Sequence, residues 1–405
     1  MSFELGYVLA GLVGAGVLGF EALYRSRDPG VARVDARQRT PWEELPRTPG
    51  GRQFTCRVPV VNDNKAYEQT IVDLWADVRV LTKDAVTPRD LTARAYVYML
   101  GDDARTDGYF AATLFKEGET RHFDLRVDIR GPEELLNHLH AALVTVSYKT
   151  YARKDLTTMT ADVVLPLSAV KPLPAPLMGE KTSIQCIPTP ILTDIDDIVD
   201  VIDRFTKDVR QPGDTVTVAE SVVAITQGHY FRPQDVKPGY WARRLCYFVP
   251  SKGSLSSRHG YQAAMTQVGT ARMVIAFFVG FLAKLVGQNG VFYKLAGTPP
   301  TLIDDVTGTM PPFDKYIVAG PIDPERVVAR IKERTGLEAA IVDANDLKRA
   351  LVLAWTPGLD PAEVSRMLLD NPFGNAAEQT PIVLLRPRVA AGVGSVAHEH
   401  QSSSV

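Results

Sequence analysis

The chain has 405 residues, of which 45% are hydrophobic and 23% are charged, with 45 Lys and Arg against 47 Asp and Glu. That length is too great for one ordinary hydrophobic core, so the sequence predicts two domains with appendages. The balanced charge, without a patch of interleaved basic and aromatic residues, excludes nucleic acid as an expected partner. Cys56, Cys186 and Cys246 show neither CxxC nor Cys/His spacing, which argues against structural zinc and predicts buried thiols in a reducing compartment.

The chain opens with an apolar run from Leu5 to Phe20. As a helix this run is about 24 Å long, and extending it to Tyr24 brings it close to the roughly 30 Å of a hydrocarbon core. We therefore predict a single-pass membrane anchor over residues 1–24 and a basic linker over residues 25–51. The arginines that follow the run place the body of the protein in the cytoplasm. The alternative is a helix that packs on the protein itself or on a partner through its four glycines.

Residues 52–170 have a mixed pattern that predicts a smaller α+β domain. A proline-rich segment, residues 171–181, marks a linker to the next domain. The predicted strands are Ala95–Leu100, Tyr109–Phe115 and His122–Ile129, with a hairpin turn at Lys116–Glu119, and the predicted helices are Thr70–Leu81 and Pro132–Val146.

The alternation of helix and strand patterns over residues 182–388 predicts a second domain of mixed α/β type, followed by a disordered tail over residues 389–405. One helix is expected to begin after Thr193 and to run to Val209, and Met273–Val286 is expected to be a buried helix because it is too short to span a membrane. Further helices begin at Pro324 and Pro361 behind capping aspartates. The predicted strands are Thr215–Val218, Tyr316–Ala319, Ala339–Val342 and Ala350–Trp355.

The segment LEAAIVDANDL, residues 337–347, runs from an apolar strand into Asp343, Asn345 and Asp346. Oxygen-bearing side chains at the end of a buried strand are a common way to hold hard cations and phosphates. An Asx-rich turn that caps nearby backbone amides is an equally good interpretation. Asp304 and Asp305 follow Leu302-Ile303 and have the same two interpretations. They are either ordinary turn residues or half of a cation site that needs carboxylates from elsewhere.

Other polar residues are weaker candidates. Lys252 and Arg258 belong to a small-residue loop that could meet phosphate or carboxylate groups, although a solvated loop is the simpler interpretation. Glu378 and Gln379 lie just before a strand and are candidate substrate or phosphate contacts. Glu220 is otherwise an ordinary first-turn helix charge.

The second domain resembles a known family through the segments GDTVTVAESVVAITQGH, DPERVVARIKERTGLEAAIVDANDL and DNPFGNAAEQTPIV. The first of these resembles the opening of the coenzyme F-420-0:L-glutamate ligase (gamma-glutamyl ligase) family. The resemblance covers roughly residues 182–387 and is that of a long, divergent member.

The resemblance implies an α+β fold, usually a homodimer, and a GTP-dependent amide ligation, with ATP as the other candidate nucleotide. A substrate carboxylate is phosphorylated, and the amino group of glutamate attacks the acyl phosphate; the acceptor in the family is a deazaflavin cofactor precursor. A divalent metal, magnesium or manganese, bridges the phosphates through aspartates.

Carried over by position, the resemblance assigns metal binding to four aspartates and nucleotide binding to four other residues. The metal ligands would be Asp304, Asp305, Asp343 and Asp346, and the nucleotide contacts would be Glu220, Gln227, Gly228 and Asn345. Two lysines typical of the family's opening are replaced by Ser221 and Ile225, and its arginine by His229. The leading hypothesis is thus a membrane-anchored, nucleotide- and metal-dependent ligase; the alternative is a non-catalytic relative that serves as a membrane-associated binding or scaffold module.

Overall fold

The computed structural model describes residues 13–23, 30–82, 89–101, 109–151, 156–179, 182–249, 254–297, 300, 302–305, 310–346, 348–374 and 378–387. Lys252, the predicted tail and residues 1–12 and 24–29 lie outside them. The chain divides into two compact units, residues 1–165 and 166–405, which are described separately below.

Within the predicted anchor, helix α1 spans Val13–Leu23 and is apolar and largely exposed. No single helix among the described residues combines the length and hydropathy needed to cross a bilayer. The anchor therefore stays a prediction.

The first unit consists almost entirely of β-strands, arranged in two sheets. One sheet has the strand order β1-β3-β7-β5, with β2 paired to β3, and the other has the order β6-β4-β8-β9. The strands are β1 (Arg33–Val34), β2 (Glu43–Glu44), β3 (Gly51–Val61), β4 (Gln69–Thr82), β5 (Thr92–Met99), β6 (Thr113–Phe115), β7 (Thr120–Arg130), β8 (Leu139–Tyr151) and β9 (Thr157–Pro166), and one short helix, α2, spans Glu133–Leu136.

Strand β7 shows why this region forms sheets. Phe123, Leu125, Val127 and Ile129 are fully buried and alternate with charged residues, which is the period of a strand with one face in the core. The prediction of strands at Ala95–Leu100 and His122–Ile129 is confirmed by β5 and β7. The prediction of an α+β domain is wrong for this unit, because both long helices expected there are strands.

The helix predicted at Thr70–Leu81 is strand β4. Its pairing with β8 shifts register between Ile71 and Asp73, so the buried positions change parity from Ile71 to Leu74. This bulge creates a spacing of three between buried residues, which imitates the period of a helix. The β-branched residues of the segment favour the strand.

The helix predicted at Pro132–Val146 lasts one turn, as α2, before the chain enters β8. From Ala142 onward, Val144, Val146 and Tyr148 alternate inward, which sets the strand period. The predicted hairpin at Lys116–Glu119 is also wrong in its topology. The turn exists, because the Glu119 amide donates to the Lys116 carbonyl, but it joins β6 and β7 of different sheets.

The second unit mixes helices and strands, which confirms the α+β class for this part of the chain. Its strands are β10 (Leu177–Met178), β11 (Thr182–Ile187), β12 (Thr215–Ala219), β13 (Tyr230–Phe231), β14 (Asp304–Asp305), β15 (Ile317–Val318), β16 (Glu338–Asn345), β17 (Arg349–Trp355) and β18 (Ile382–Pro387). Its helices are α3 (Ile198–Thr206), α4 (Glu220–Thr226), α5 (Ala242–Leu245), α6 (Arg258–Val268), α7 (Thr270–Leu285), α8 (Val291–Ala296), α9 (Pro324–Thr335) and α10 (Pro361–Met367).

A six-stranded sheet of order β10-β11-β18-β12-β16-β17 forms the centre of this unit, and β13-β15-β14 form a small separate sheet. β12 and β16 are parallel, whereas β16 and β17 form an antiparallel pair. Helices α3 and α9 pack on one face of the central sheet through residues such as Ile202 and Ile331. Helix α10 covers the other face through Val364 and Leu368. Both faces of the sheet are therefore covered by helices.

Two helix predictions need correction. The helix expected after Thr193 begins at Ile198, because the Asp197 side chain caps it by accepting from the Val199 amide at 2.8 Å. The expected buried helix is α7, and of its residues only Met273 and Ala276 are buried. Val274 and Phe277 are partly buried against the same core, and the other large apolar residues of α7 are exposed.

Candidate functional site

A cleft of about 530 Å³ opens at the carboxyl ends of β12 and β16. Ligands of α/β proteins bind preferentially at this end of parallel strands, because the loops that follow the strands converge there. The walls come from the start of α4, the end of β16 and three loops of the second unit, near residues 189–192, 310–313 and 371–381. The lining residues are Thr189, Pro190, Leu192, Ala219, Glu220, Ser221, Val222, Ile225, Met310, Phe313, Val342, Asp343, Ala344, Asn345, Asp346, Asn371, Phe373, Gly374, Gln379, Thr380 and Pro381.

The acidic wall of the cleft is the overhang of β16. Pairing between β12 and β16 ends at Ala219 and Val342, whereas β16 continues to Asn345 against β17 alone. Asp343 and Asn345 share one face of this overhang, since side chains of a strand alternate. Asp346 follows in the turn. The short β12 beside a long β16 thus presents these polar side chains to the cleft.

Asp343 is half-buried, and this burial raises the pKa of its carboxyl group, against the opposing attraction of Arg349. In the described part of the chain, no cation lies within 4.0 Å of its carboxylate. Asp346 is exposed, and its Oδ1 accepts a hydrogen bond from Asn371 Nδ2 at 2.9 Å. The two acids therefore differ: Asp343 is desolvated, and Asp346 is anchored to the opposite loop.

The loop that faces β16 has an unusual backbone. Asn371, Gly374 and Gln379 have φ values of 48°, 72° and 56°, in the left-handed region that favours glycine and asparagine. Gln379 is held there by the hydrogen bond from the Thr189 amide to its carbonyl, at 2.9 Å, and its side chain donates to Ser168 Oγ at 3.2 Å. Such strained positions cluster at binding sites.

Glu220 joins the acidic residues in the cleft. It is the first residue of α4 and is only 6% exposed, so its carboxylate contributes to the wall rather than to the solvent-facing surface. The Ala219 amide before it donates to the Pro381 carbonyl at 2.9 Å, which joins the β12 end to the facing loop.

Of the residues assigned from sequence, Glu220, Asp343, Asn345, Asp346 and Gln379 meet in this cleft. Sequence reasoning did not select Asn371 and Gly374 of the facing loop. The signal available for them was the turn sequence Asn-Pro-Phe-Gly, residues 371–374.

Gln227 and Gly228 do not line the cleft. They lie at the far end of α4, about 10 Å along the helix from Glu220. The Gln227 side chain both donates to and accepts from the backbone of Ile322, at 2.8 and 2.6 Å, and Gly228 adopts φ 65° where the helix ends. Both residues therefore have structural roles at a helix end.

Arg258 and Glu378 also lie outside the cleft. Arg258 is exposed at the start of α6, where it donates to the Tyr247 hydroxyl at 2.6 Å, and Glu378 is exposed. Lys252 is outside the described residues. Asp304 and Asp305 form β14, which pairs with β15, but their side chains are not described.

The oxygen-bearing side chains of the cleft can supply part of the ligand set of a magnesium ion. Among the described residues, no group of three or more His, Cys, Asp or Glu side chains converges on a metal-sized position. Mg²⁺ is commonly held by only one or two carboxylates, with water and substrate phosphates completing the octahedron. Asp343 and Asp346, with the Asn345 amide oxygen, supply such a partial set.

The described lining of the cleft contains no Lys, Arg or His. Lys348, just past the overhang, forms an ion pair with Asp370 instead. A phosphate group in the cleft would therefore depend on a metal ion, on backbone amides or on residues outside the described part for its counter-charge.

Residues 37–169 match the family model described as the F420-0:gamma-glutamyl ligase, N-terminal Ig-like domain. This match supports the gamma-glutamyl ligase family. It falls on the first domain, about a third of the chain, whereas the resemblance noted from the residues is in the second. The two-sheet architecture of the first unit agrees with an Ig-like domain.

No curated protein matches the chain. Among solved structures, a FixG-related protein from Vibrio parahaemolyticus is 13% identical, with 34% of this chain and 95% of that chain covered and a TM-score of 0.17. The GAE domain of GGA2p from Saccharomyces cerevisiae is 11% identical, with 31% and 98% covered and a TM-score of 0.16. Likenesses of this strength carry no argument about fold or function.

Proposed function

We propose that the protein is a nucleotide- and metal-dependent amide ligase of gamma-glutamyl ligase type, with its reaction centre in the cleft at the ends of β12 and β16. The observation that carries the proposal is the overhang of β16, which brings Asp343, Asn345 and Asp346 into one cleft. The family match of the first domain supports a ligase. The substrates would be GTP or ATP, an acceptor carboxylate such as a deazaflavin precursor, and glutamate or a related amine.

Amide formation in water requires an activated carboxylate. In the proposed reaction a carboxylate oxygen attacks the terminal phosphorus of the nucleotide, which leaves a nucleoside diphosphate; the amine nitrogen then attacks the acyl carbon, and phosphate departs. A magnesium or manganese ion, held by Asp343 and Asp346, would neutralise charge on the phosphates. The protein itself holds the two carboxylates in place, Asp343 on a strand and Asp346 in an anchored turn. Little reorganisation of these side chains is therefore needed during the reaction.

Membrane attachment through residues 1–24, a cytoplasmic body and a homodimer belong to the same proposal. They derive from the apolar start of the chain and from the family resemblance.

A second candidate is a non-catalytic relative that serves as a membrane-associated binding or scaffold module. The lack of cationic side chains among the described cleft residues favours it, as does the presence of Ser221 and Ile225 where the family has lysines.

Calorimetric titration with GTP and with ATP, with and without Mg²⁺ or Mn²⁺, separates the two. The ligase proposal predicts metal-dependent binding that falls at least tenfold in Asp346→Ala and in Asp343→Ala. The matched control is Asp200→Ala, which changes an exposed acid on α3 that is not among the lining residues of the cleft and should bind as the native chain does. Nucleotide binding that does not depend on the metal, or no binding of either nucleotide, would contradict the ligase proposal and favour the scaffold function.

A further inference from the structure

Helices α5 to α8 of the second unit carry a large exposed apolar surface. On α7, the side chains of Ile275, Phe278, Val279 and Leu282 recur at helical spacing and are 60%, 47%, 42% and 61% exposed. This outward stripe lies opposite the two buried residues of the same helix, Met273 and Ala276, so the core of the unit does not need it.

Aromatic side chains extend the stripe from α7 onto α5 and the turn that follows it. Trp241 meets Phe278 edge-on with ring centroids 6.3 Å apart, and Phe248 meets Phe277 in the same way at 5.7 Å. Tyr240 and Tyr247 are exposed beside them. We call this surface the aromatic-aliphatic patch; its exposed members are Tyr240, Trp241, Tyr247, Phe248, Ile275, Phe278, Val279, Phe281, Leu282, Leu285, Val286, Tyr293 and Leu295.

Soluble proteins seldom expose contiguous apolar patches of this kind, and such patches mark interaction sites. The charge around the patch indicates what it binds. Residues 236–303 contain no Asp or Glu, and their cations are Lys237, Arg243, Arg244, Lys252, Arg258, Arg272, Lys284 and Lys294. The chain as a whole is close to neutral, so this excess is local.

The arginines lie against the aromatic rings rather than away from them. The Arg244 guanidinium is 3.5 Å from the ring centroid of Tyr240, and Arg258 donates to the Tyr247 hydroxyl. Tyrosine and tryptophan rings with adjacent cations are the combination that suits the interface between lipid headgroups and acyl chains.

A second copy of this chain is a poorer fit for the patch. An interface made by two such surfaces would bring like charges together, with no carboxylate from residues 236–303 of either copy to pair them. Lipid phosphates on an anionic leaflet supply the missing counter-charge.

We propose that the aromatic-aliphatic patch docks the second unit onto an anionic lipid bilayer, with α7 lying along the headgroup region. Helices α6 and α7 together have the length and composition of a span, but they meet at an angle of 112°, so they do not form one straight helix. This contact is separate from the predicted anchor at residues 1–24 and does not depend on the ligase proposal.

Trp241 provides a readout that is specific to the patch, because it belongs to the patch and α1 has no tryptophan. The full chain is mixed with phosphatidylcholine vesicles that contain or lack 30% phosphatidylglycerol, with lipids brominated near the headgroup as quenchers. Subtracting the signal of Trp241→Phe isolates this residue from the other tryptophans. We expect Trp241 to be quenched on anionic vesicles, and about tenfold less binding in the double variant Lys284→Gln/Lys294→Gln.

Leu282→Ser tests the apolar part and should weaken vesicle binding, measured by Trp241 quenching, about tenfold, since it removes one leucine side chain from the lipid contact. The matched control is Leu351→Ser, an exposed leucine on β17, which should change nothing. A near-ultraviolet circular dichroism spectrum like that of the native chain shows that each variant is folded. The proposal is overturned if the protein binds vesicles while Trp241 stays unquenched, if binding ignores lipid charge, or if Trp241 becomes shielded without vesicles as the protein dimerises.

Discussion

The two ends of the central sheet in the second unit use carboxylates in opposite ways. At the end where β12 begins, the Asp214 side chain is fully buried and accepts two hydrogen bonds from Arg386, at 2.9 and 2.8 Å. At the other end, Asp343 is half-buried, and desolvation raises the pKa of its carboxyl group. A buried acid that is tightly paired keeps the fold together, whereas a desolvated acid in a cleft costs stability when ionised, which is typical of a binding site.

The largest effect is expected at the paired end. Arg386→Met removes the partner of a buried carboxylate and should lower the free energy of unfolding by about 3–5 kcal/mol, measured by chemical denaturation. Arg334→Met, which breaks an exposed pair with Asp203, is the control and should cost less than about 1 kcal/mol. Equal effects for the two variants would show that the burial of Asp214 does not make its pairing with Arg386 important for the fold.

At the cleft end, removing a charge should change stability in the opposite direction. Asp343→Asn removes a desolvated charge, so the free energy of unfolding at pH 7 should rise. The same variant should bind the magnesium complex of the nucleotide about tenfold more weakly, because one oxygen ligand loses its charge. Denaturation and calorimetry on one preparation measure both quantities. Loss of stability without loss of binding would show that Asp343 is a structural residue.

The smallest effect is a dependence on pH. Because the pKa of Asp343 is raised in the folded state above its ordinary value of 3.8, its contribution to stability is fully present below that value. It is lost as pH rises through the folded-state pKa. The stability gain of Asp343→Asn over the native chain should therefore be small at low pH and grow as pH rises through this window, as denaturation curves at several pH values would show. A gain that is constant with pH would mean that burial does not perturb this carboxyl group.

Features fixed by local chemistry could be predicted from the sequence. Helices α9 and α10 begin at the predicted prolines, and β7 shows its strand period directly. Asp360 caps α10 by accepting from the Ala362 amide at 3.0 Å, whereas the cap predicted at Asp323 is wrong, because that side chain makes no capping hydrogen bond. The polar group at residues 343–346 was predictable because it follows an apolar run, although Asp343 and Asn345 belong to strand β16 rather than to a turn after it. These signals need no distant partner.

Features that depend on distant pairing could not be predicted. The bulge in β4 imitates a helix until its partner β8 is known. The hydrogen bond from Asn371 to Asp346 joins residues far apart in the sequence. The exposure of α7 contradicts its composition, because hydrophobicity alone cannot show which face the core leaves uncovered.

The central claim is that Asp343 and Asp346 hold a metal ion that carries nucleotide phosphates. Anomalous diffraction from crystals grown with Mn²⁺ and a non-hydrolysable GTP analogue locates such an ion directly. We predict an anomalous peak in the cleft about 2.1 Å from a carboxylate oxygen of Asp343 or Asp346, with a further bond to a phosphate oxygen. Nucleotide bound elsewhere, or manganese bound away from both carboxylates, would contradict the account.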